Sequence, residues 1–251
     1  MSGHNKWSSI KHQKGIADAK RGQVFTKITR EIIVAVRAGG RDVDANYRLR
    51  LAIQKARDSN MPYDNIDRAI KRGSGEMEGA ILTELSLEGY GPSGAAIMLH
   101  AVSDNRNRTL QDVRNIFTRH GGNLGESGSV AWLFDNRGII SIEAGNLNKE
   151  ELELKAIDAG AEDIKIEDGY VEIYTKPEDL ETVRKGLESQ SISINSAAMA
   201  TVPKATVRLD EKAALTTLKL MEKLEELDDV DNVTSNVDFP DDIVEKYRSQ
   251  P

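Results

Sequence analysis

"GIISIEAGNLNKEELELKAIDAGAEDIKIEDGYVEIYT" (residues 138–175) holds three short β-like runs, GIISIE, EDIKIE and GYVEIYT. A helical stretch from about Lys149 to Ala159 separates the first two runs. Each run alternates β-branched or aromatic residues with polar ones, the period of a half-buried strand. A further helix from about Pro177 to Glu188 and the strand-like "ISINSAAMATVP" (192–203) complete the order βαββαβ. That order is the split-βαβ or ferredoxin-like unit.

Outward from this unit the chain stays mixed. Upstream, "TELSLEG" (83–89) and "AAIMLHAV" (95–102) read as strands, residues 109–120 as a helix and "SVAWLF" (129–134) as a strand. Downstream, "ATVRL" (205–209), a helix over 211–227 and "DNVTSNV" (231–237) are too short to stand alone, and they can complete the α/β structure begun near residue 95. Before all of this, Val24, Phe25, Ile28, Ile32, Ile33 and Val36 recur at three- and four-residue spacing, and Gly39-Gly40 stops the helix they predict. A second helix is expected after Asp44, with Leu49, Ala52, Ile53 and Ala56 inward, and a third opening at Pro62, with Ile66, Ala69 and Ile70 inward.

The expected fold class is α+β and multidomain: an N-terminal three-helix domain followed by two α/β (ferredoxin-like) domains, one inserted in the other. The expected domains are a basic helical domain over 1–78, a discontinuous α/β domain over 79–135 and 204–240, an inserted ferredoxin-like domain over 136–203 and a C-terminal tail over 241–251. Gly73-Ser74-Gly75 marks the first boundary.

Charge changes sign at the same place. Residues 1–73 carry 16 Lys and Arg against 7 Asp and Glu, or plus 9, so the rest must carry minus 16 for the chain to total minus 7. Such segregation suggests a basic module for a polyanion joined to acidic domains, whereas its plain alternative is a solvated helical surface. Zero cysteines remove disulfides and thiolate chemistry, and His4, His12, His100 and His120 are too scattered for a zinc site, so neither metal nor cofactor is expected. No run of about 18 apolar residues or apolar leader is readable, so a cytoplasmic protein without a membrane partner is expected.

No motif supplies catalysis. Gly89-Tyr90-Gly91-Pro92-Ser93-Gly94 has dinucleotide-fingerprint spacing but is followed by the β-like "AAIMLHAV", so it reads as a turn between two strands. No phosphate loop, G-x-S-x-G elbow or H-E-x-x-H helix occurs, and the expectation is a non-enzyme with no small-molecule substrate.

The opening segment is richer. Lys6, Lys11, Lys14, Lys20, Arg21, Lys27 and Arg30 crowd into 25 residues, and an arm of this kind can neutralise several phosphates. Trp7 either stacks on an unpaired base or pins the arm to the bundle, and His12 adds charge only when protonated. In "SDNRNRT" (103–109), Arg106 and Arg108 beside a helix start could hold an anion; alternatively Asp104, Asn105 and Asn107 cap the helix while the arginines meet acidic neighbours.

The stretches "GHNKWSSIKHQKGIADAKRGQVFTKITREI", "NMPYDNIDRAIKRGSG", "EGYGPSGAAIMLHAVSDNRNRTLQDVRNIFTRHGGNLGESGSVAWLF" and "AMATVPKATV" closely resemble the YebC family. That family includes bacterial transcriptional regulatory proteins and the mitochondrial translational activator of cytochrome c oxidase subunit I. The resemblance implies one helical and two α/β domains around a central cavity, and a cytoplasmic, non-enzymatic protein. It implies a nucleic-acid role for the motif with Lys6, Trp7, Lys11, His12, Lys14, Lys20, Arg21 and Lys27, and for Arg106 and Arg108. Tyr47 replaces an expected proline and Thr234 an expected aromatic, and neither touches the arm. Two functions follow: a DNA-binding transcriptional regulator, or a ribosome-associated translation factor whose arm rests on ribosomal RNA. Neither implies a partner subunit, so a monomer is the default expectation.

Overall fold

The computed structural model describes residues 18–143, 148–167 and 170–249, with side chains from residue 22 on except at 167. In chain order the elements are α1 (Asp18–Gly39), α2 (Tyr47–Asp58), α3 (Tyr63–Gly73), β1 (Thr83–Tyr90), β2 (Ala96–Ser103), α4 (Arg106–Arg119), β3 (Asn123–Leu124), β4 (Phe134–Glu143), α5 (Lys149–Asp158), β5 (Asp163–Glu167), β6 (Tyr170–Thr175), α6 (Leu180–Ser189), β7 (Ser196–Pro203), α7 (Glu211–Glu225), β8 (Val230–Ser235) and α8 (Asp241–Arg248). They fall into two compact units: residues up to Phe134 together with those from Pro203 on, and Asp135–Val202.

In the first unit α1, α2 and α3 bury Ile28, Ile32, Leu49, Ile53, Met61 and Ile66 against one another. Gly40 ends α1 in the left-handed region, at φ +82°. Helix α2 starts at Tyr47 rather than directly after Asp44, because Asn46 fixes its N-terminus. The buried Asn46 carbonyl accepts from the Leu49 N–H at 3.0 Å, while its amide donates to the Ala35 and Gly40 carbonyls at 2.8 and 2.7 Å. Gly73 closes α3 on α1: a Cβ there would lie 2.7 Å from the Val36 Cβ and 2.9 Å from the Ile33 carbonyl. The glycine read as a boundary is therefore also a packing residue, and the chain turns at Gly75 instead (φ +83°).

The same unit contains a four-stranded antiparallel sheet, order β3-β1-β2-β8. Ile97 and Leu99 of the sheet share a core with Phe117 of α4, Leu218 and Met221 of α7, and Phe239. The glycine-rich segment after β1 is the expected turn, a 3-10 turn over Pro92–Gly94 with Ser93 and Gly94 at positive φ.

Three expectations are corrected. "SVAWLF" is not a strand: Ala131–Leu133 forms a 3-10 turn, because the N–H groups of Gly128, Val130 and Ala131 all donate to the carboxylate of Glu88 at 2.7–2.8 Å and cannot join a ladder. "ATVRL" pairs only through an isolated bridge between Val207 and Val237. The segment read as a tail over 241–251 holds α8, whose Ile243, Val244 and Tyr247 are buried in the core of the first unit, so apolar spacing and not position in the chain decides its structure.

The second unit has sheet order β5-β6-β4-β7, the permutation that a ferredoxin-like βαββαβ chain produces. Ile140, Ile142 and Ile173 of its strands and Leu152, Val183 and Leu187 of its helices are buried.

Candidate nucleic-acid interface

One face of α1 is spent on the bundle core, and Gln23, Lys27 and Arg30 stand together on another at i, i+4 and i+7 spacing. They meet the C-terminal end of α7, where the last backbone carbonyls lack helical partners and the macrodipole is negative. Gln23 Nε2 donates to the Glu226 carbonyl at 3.4 Å, Lys27 Nζ to the Glu225 carbonyl at 2.5 Å and Arg30 to the Asp228 carbonyl at 2.5 Å. Arg30 also pairs with Asp229 at 2.8 Å.

Asp229 gathers four donors. Besides Arg30, its carboxylate accepts from Ser103 Oγ at 3.0 Å, Thr109 Oγ1 at 2.6 Å and Arg108 at 2.8 Å. Burial pushes this carboxyl up, yet the Thr109 hydroxyl, the Arg108 guanidinium, the Ser103 hydroxyl and the charge of Arg30 together hold it below the usual aspartate range. Arg108 reaches Asp104 as well, at 2.8 Å, and these two carboxylates raise its already high pKa.

A second cluster gathers around Asp231, two residues on at the start of β8. Lys55 contacts Glu31 at 2.6 Å and Asp231 at 3.9 Å, and His100 sits 3.2 Å from Glu84 and 3.8 Å from Asp231. Arg48 forks onto Glu84. The nearby Asp231 carboxylate, against the opposing effect of burial, and the charge of Glu84 raise the His100 pKa above its ordinary value. The acids that follow α7 thus neutralise part of the positive charge of the helical bundle within the unit itself.

The sequence-predicted site residues therefore separate. Lys27, Arg30 and Arg108 each make internal contacts, with donors turned onto the end of α7, Asp104 and Asp229. Helix α4 begins at Arg106 rather than near residue 109, because the Asn105 side chain accepts from the Arg108 N–H and caps it. Arg106 stands exposed in the first turn. Lys6, Trp7, Lys11, His12 and Lys14 lie outside the described residues, and so do the side chains of Lys20 and Arg21.

Sequence reasoning missed the acidic run of Asp228, Asp229 and Asp231 between α7 and the start of β8. Its signal was available in "LDDVDNV" directly after a helix, since carboxylates at a helix C-terminus are unfavourable unless cations face them. It also missed the outer face of α4, where Asn107, Gln111, Arg114, Asn115 and Thr118 are all exposed. Near the start of that helix a cleft of about 450 Å³ is lined by Gln23, Arg30, Arg108, Asp112 and Glu226, which brings the arm-bearing end of α1 beside α4. Among the described residues, no helix is long and apolar enough to cross a membrane, and no three His, Asp or Glu side chains gather as a metal site.

Comparison with known proteins matches residues 5–76 to the TACO1/YebC protein N-terminal domain and residues 82–237 to the TACO1/YebC second and third domain. A probable transcriptional regulatory protein of Dehalococcoides mccartyi is 58% identical over 250 residues, covering 100% of both chains. One of Halothermothrix orenii is 51% identical over 253 residues, again covering 100% of each. The crystal structure of a conserved hypothetical protein from Aquifex aeolicus superimposes with a TM-score of 0.84 at 48% identity, covering 92% of this chain and 96% of that one.

Proposed function

The chain belongs to the TACO1/YebC family, and from that premise we propose that it is a DNA-binding regulator of transcription that acts in the cytoplasm without catalysing a reaction. The observation that carries the reading is the segregation of charge: plus 9 over residues 1–73 against minus 16 over the rest. A polyanion is attracted to the first region and, helix α4 apart, repelled by the second, so binding is oriented as well as driven by electrostatics. Its relatives are named for transcriptional regulation. With Lys27 and Arg30 turned onto the end of α7 and Arg108 tied to Asp104 and Asp229, the cations assigned to phosphate contact are those of the arm and of the outer face of α4.

Affinity is expected to fall steeply with salt. Replacing Lys6, Lys11 and Lys14 by Gln in the full chain removes three phosphate contacts and lowers the slope of log affinity against log salt by about 2 to 3. An unchanged slope, measured by anisotropy on a labelled duplex, would remove the arm from the reading.

A second reading, contact with ribosomal RNA in translation, is favoured by the arm's clustered lysines, which suit recognition of a nucleic acid by backbone and shape. Co-sedimentation of the full chain with ribosomes at moderate salt, with no affinity for duplex DNA, would move the assignment there.

A further inference from the structure

Several exposed cations of the first unit face carboxylates, Arg41 with Glu76, Arg48 with Glu84, Lys55 with Glu31 and Lys71 with Asp67, and the outer face of α4 does not follow them. Along α4, Arg106, Asn107, Gln111, Arg114, Asn115 and Arg119 are exposed, and among the described residues none of their side chains has a hydrogen-bond or ion-pair partner. Four arginines and one aspartate make this helix plus 3. The aspartate, Asp112, lies on the flank that lines the cleft.

The spacing forms a stripe. Asn107, Gln111, Arg114 and Thr118 follow one another at i, i+4, i+7 and i+11, Asn115 stands beside them and Arg119 follows it on that flank at i+4, whereas Arg106 lies on the row of the buried Thr109, Val113 and Phe117. From Asn107 to Thr118 the stripe spans about 16 Å at the α-helical rise. It carries no apolar side chain that a protein partner would bury. Amides and guanidinium are instead the groups that pair with base edges: Asn and Gln with adenine, Arg with guanine, in a groove about 12 Å wide that admits a helix. The opposite face of the same helix is fixed, since Thr109, Val113 and Phe117 are buried.

Resting on the reading above, we propose that the outer face of α4 is a duplex-DNA contact surface. Asn107, Gln111, Arg114 and Asn115 address base edges in the major groove, while Arg119, beside Asn115, holds a flanking phosphate.

The test uses the full chain with a mixed-sequence B-form duplex and, in parallel, a structured RNA, each followed by fluorescence anisotropy. Arg114→Ala is expected to weaken duplex binding about tenfold. Asn107→Ala combined with Gln111→Ala and Asn115→Ala should leave the salt slope unchanged and flatten the preference recovered by selection from randomised duplexes. Melting temperatures should not move, which separates a lost contact from a lost fold. Duplex binding equal to the parent in both variants overturns the proposal and leaves the DNA-binding function standing. A parent that binds the RNA but no duplex overturns it too and moves the function to RNA. A parent that binds neither removes the function together with the proposal.

Discussion

Asp229→Ala is expected to lower the stability of the first unit by about 3 kcal/mol, because removing one partner of a largely buried charge cluster leaves the others uncompensated. Arg30 and Arg108 lose their shared carboxylate, and the hydroxyls of Ser103 and Thr109 lose an acceptor. Full burial would argue for a larger loss, but the Arg108 side chain is 47% exposed and regains water. For a unit of this size the change corresponds to a melting point lower by about 6–12 °C. Asp229→Asn, which keeps an acceptor but no charge, should fall between. The sign of the pH dependence follows from the depressed carboxyl. Its contribution is complete above the unfolded value of about 3.9 and disappears as pH falls through the lower folded value. Acid unfolding of the parent below about pH 4 should therefore be steeper than that of Asp229→Asn. Equal melting points across the three proteins would mean that the cluster is dispensable.

Glu88→Ala is expected to cost about as much, near 3 kcal/mol, for a different reason: three backbone N–H groups lose one acceptor, and an unsatisfied buried donor costs about 1–3 kcal/mol. The Val130 N–H is buried, whereas those of Gly128 and Ala131 can reach water, which keeps the sum below three full penalties. Burial pushes the Glu88 carboxyl up, but the three N–H groups outweigh it and hold the pKa below 4.5, so this support too is lost in acid. The loop also positions Trp132, which is exposed and donates its indole N–H to the Ser129 carbonyl at 3.1 Å. Released from Glu88, it should show lower fluorescence anisotropy in a Trp7→Phe background, where Trp132 is the remaining tryptophan. A urea midpoint equal to the parent's would show that water replaces the carboxylate without cost.

The sequence made the helices legible where apolar residues recur every three or four positions, as Ile28, Ile32 and Val36 do, because burial of one face selects that period. It made the second unit legible for the same reason at period two. What stayed hidden depends on contacts far apart in the chain. Nothing local in "SVAWLF" reveals that Glu88, some forty residues earlier, takes its N–H groups. Asn46 outcompetes Asp44 as a cap because two carbonyls of the α1 end await its amide. Among the candidate site residues, counting charge by segment found the basic region but could not tell an arginine facing Asp229 from one facing water. Arg30 and Arg114 look alike in sequence, and tertiary structure gives them opposite surroundings. The α4 face escaped notice because a helix begun at residue 109 leaves Asn107 outside the stripe.

Crosslinking in growing cells, followed by purification of the full-length protein and sequencing of the nucleic acid that accompanies it, tests the central claim most directly. Regulation of transcription through DNA predicts enrichment of promoter DNA, lost together with Arg114→Ala. Clustered ribosomal RNA, with the protein sedimenting on ribosomes and no promoter enrichment, would contradict it.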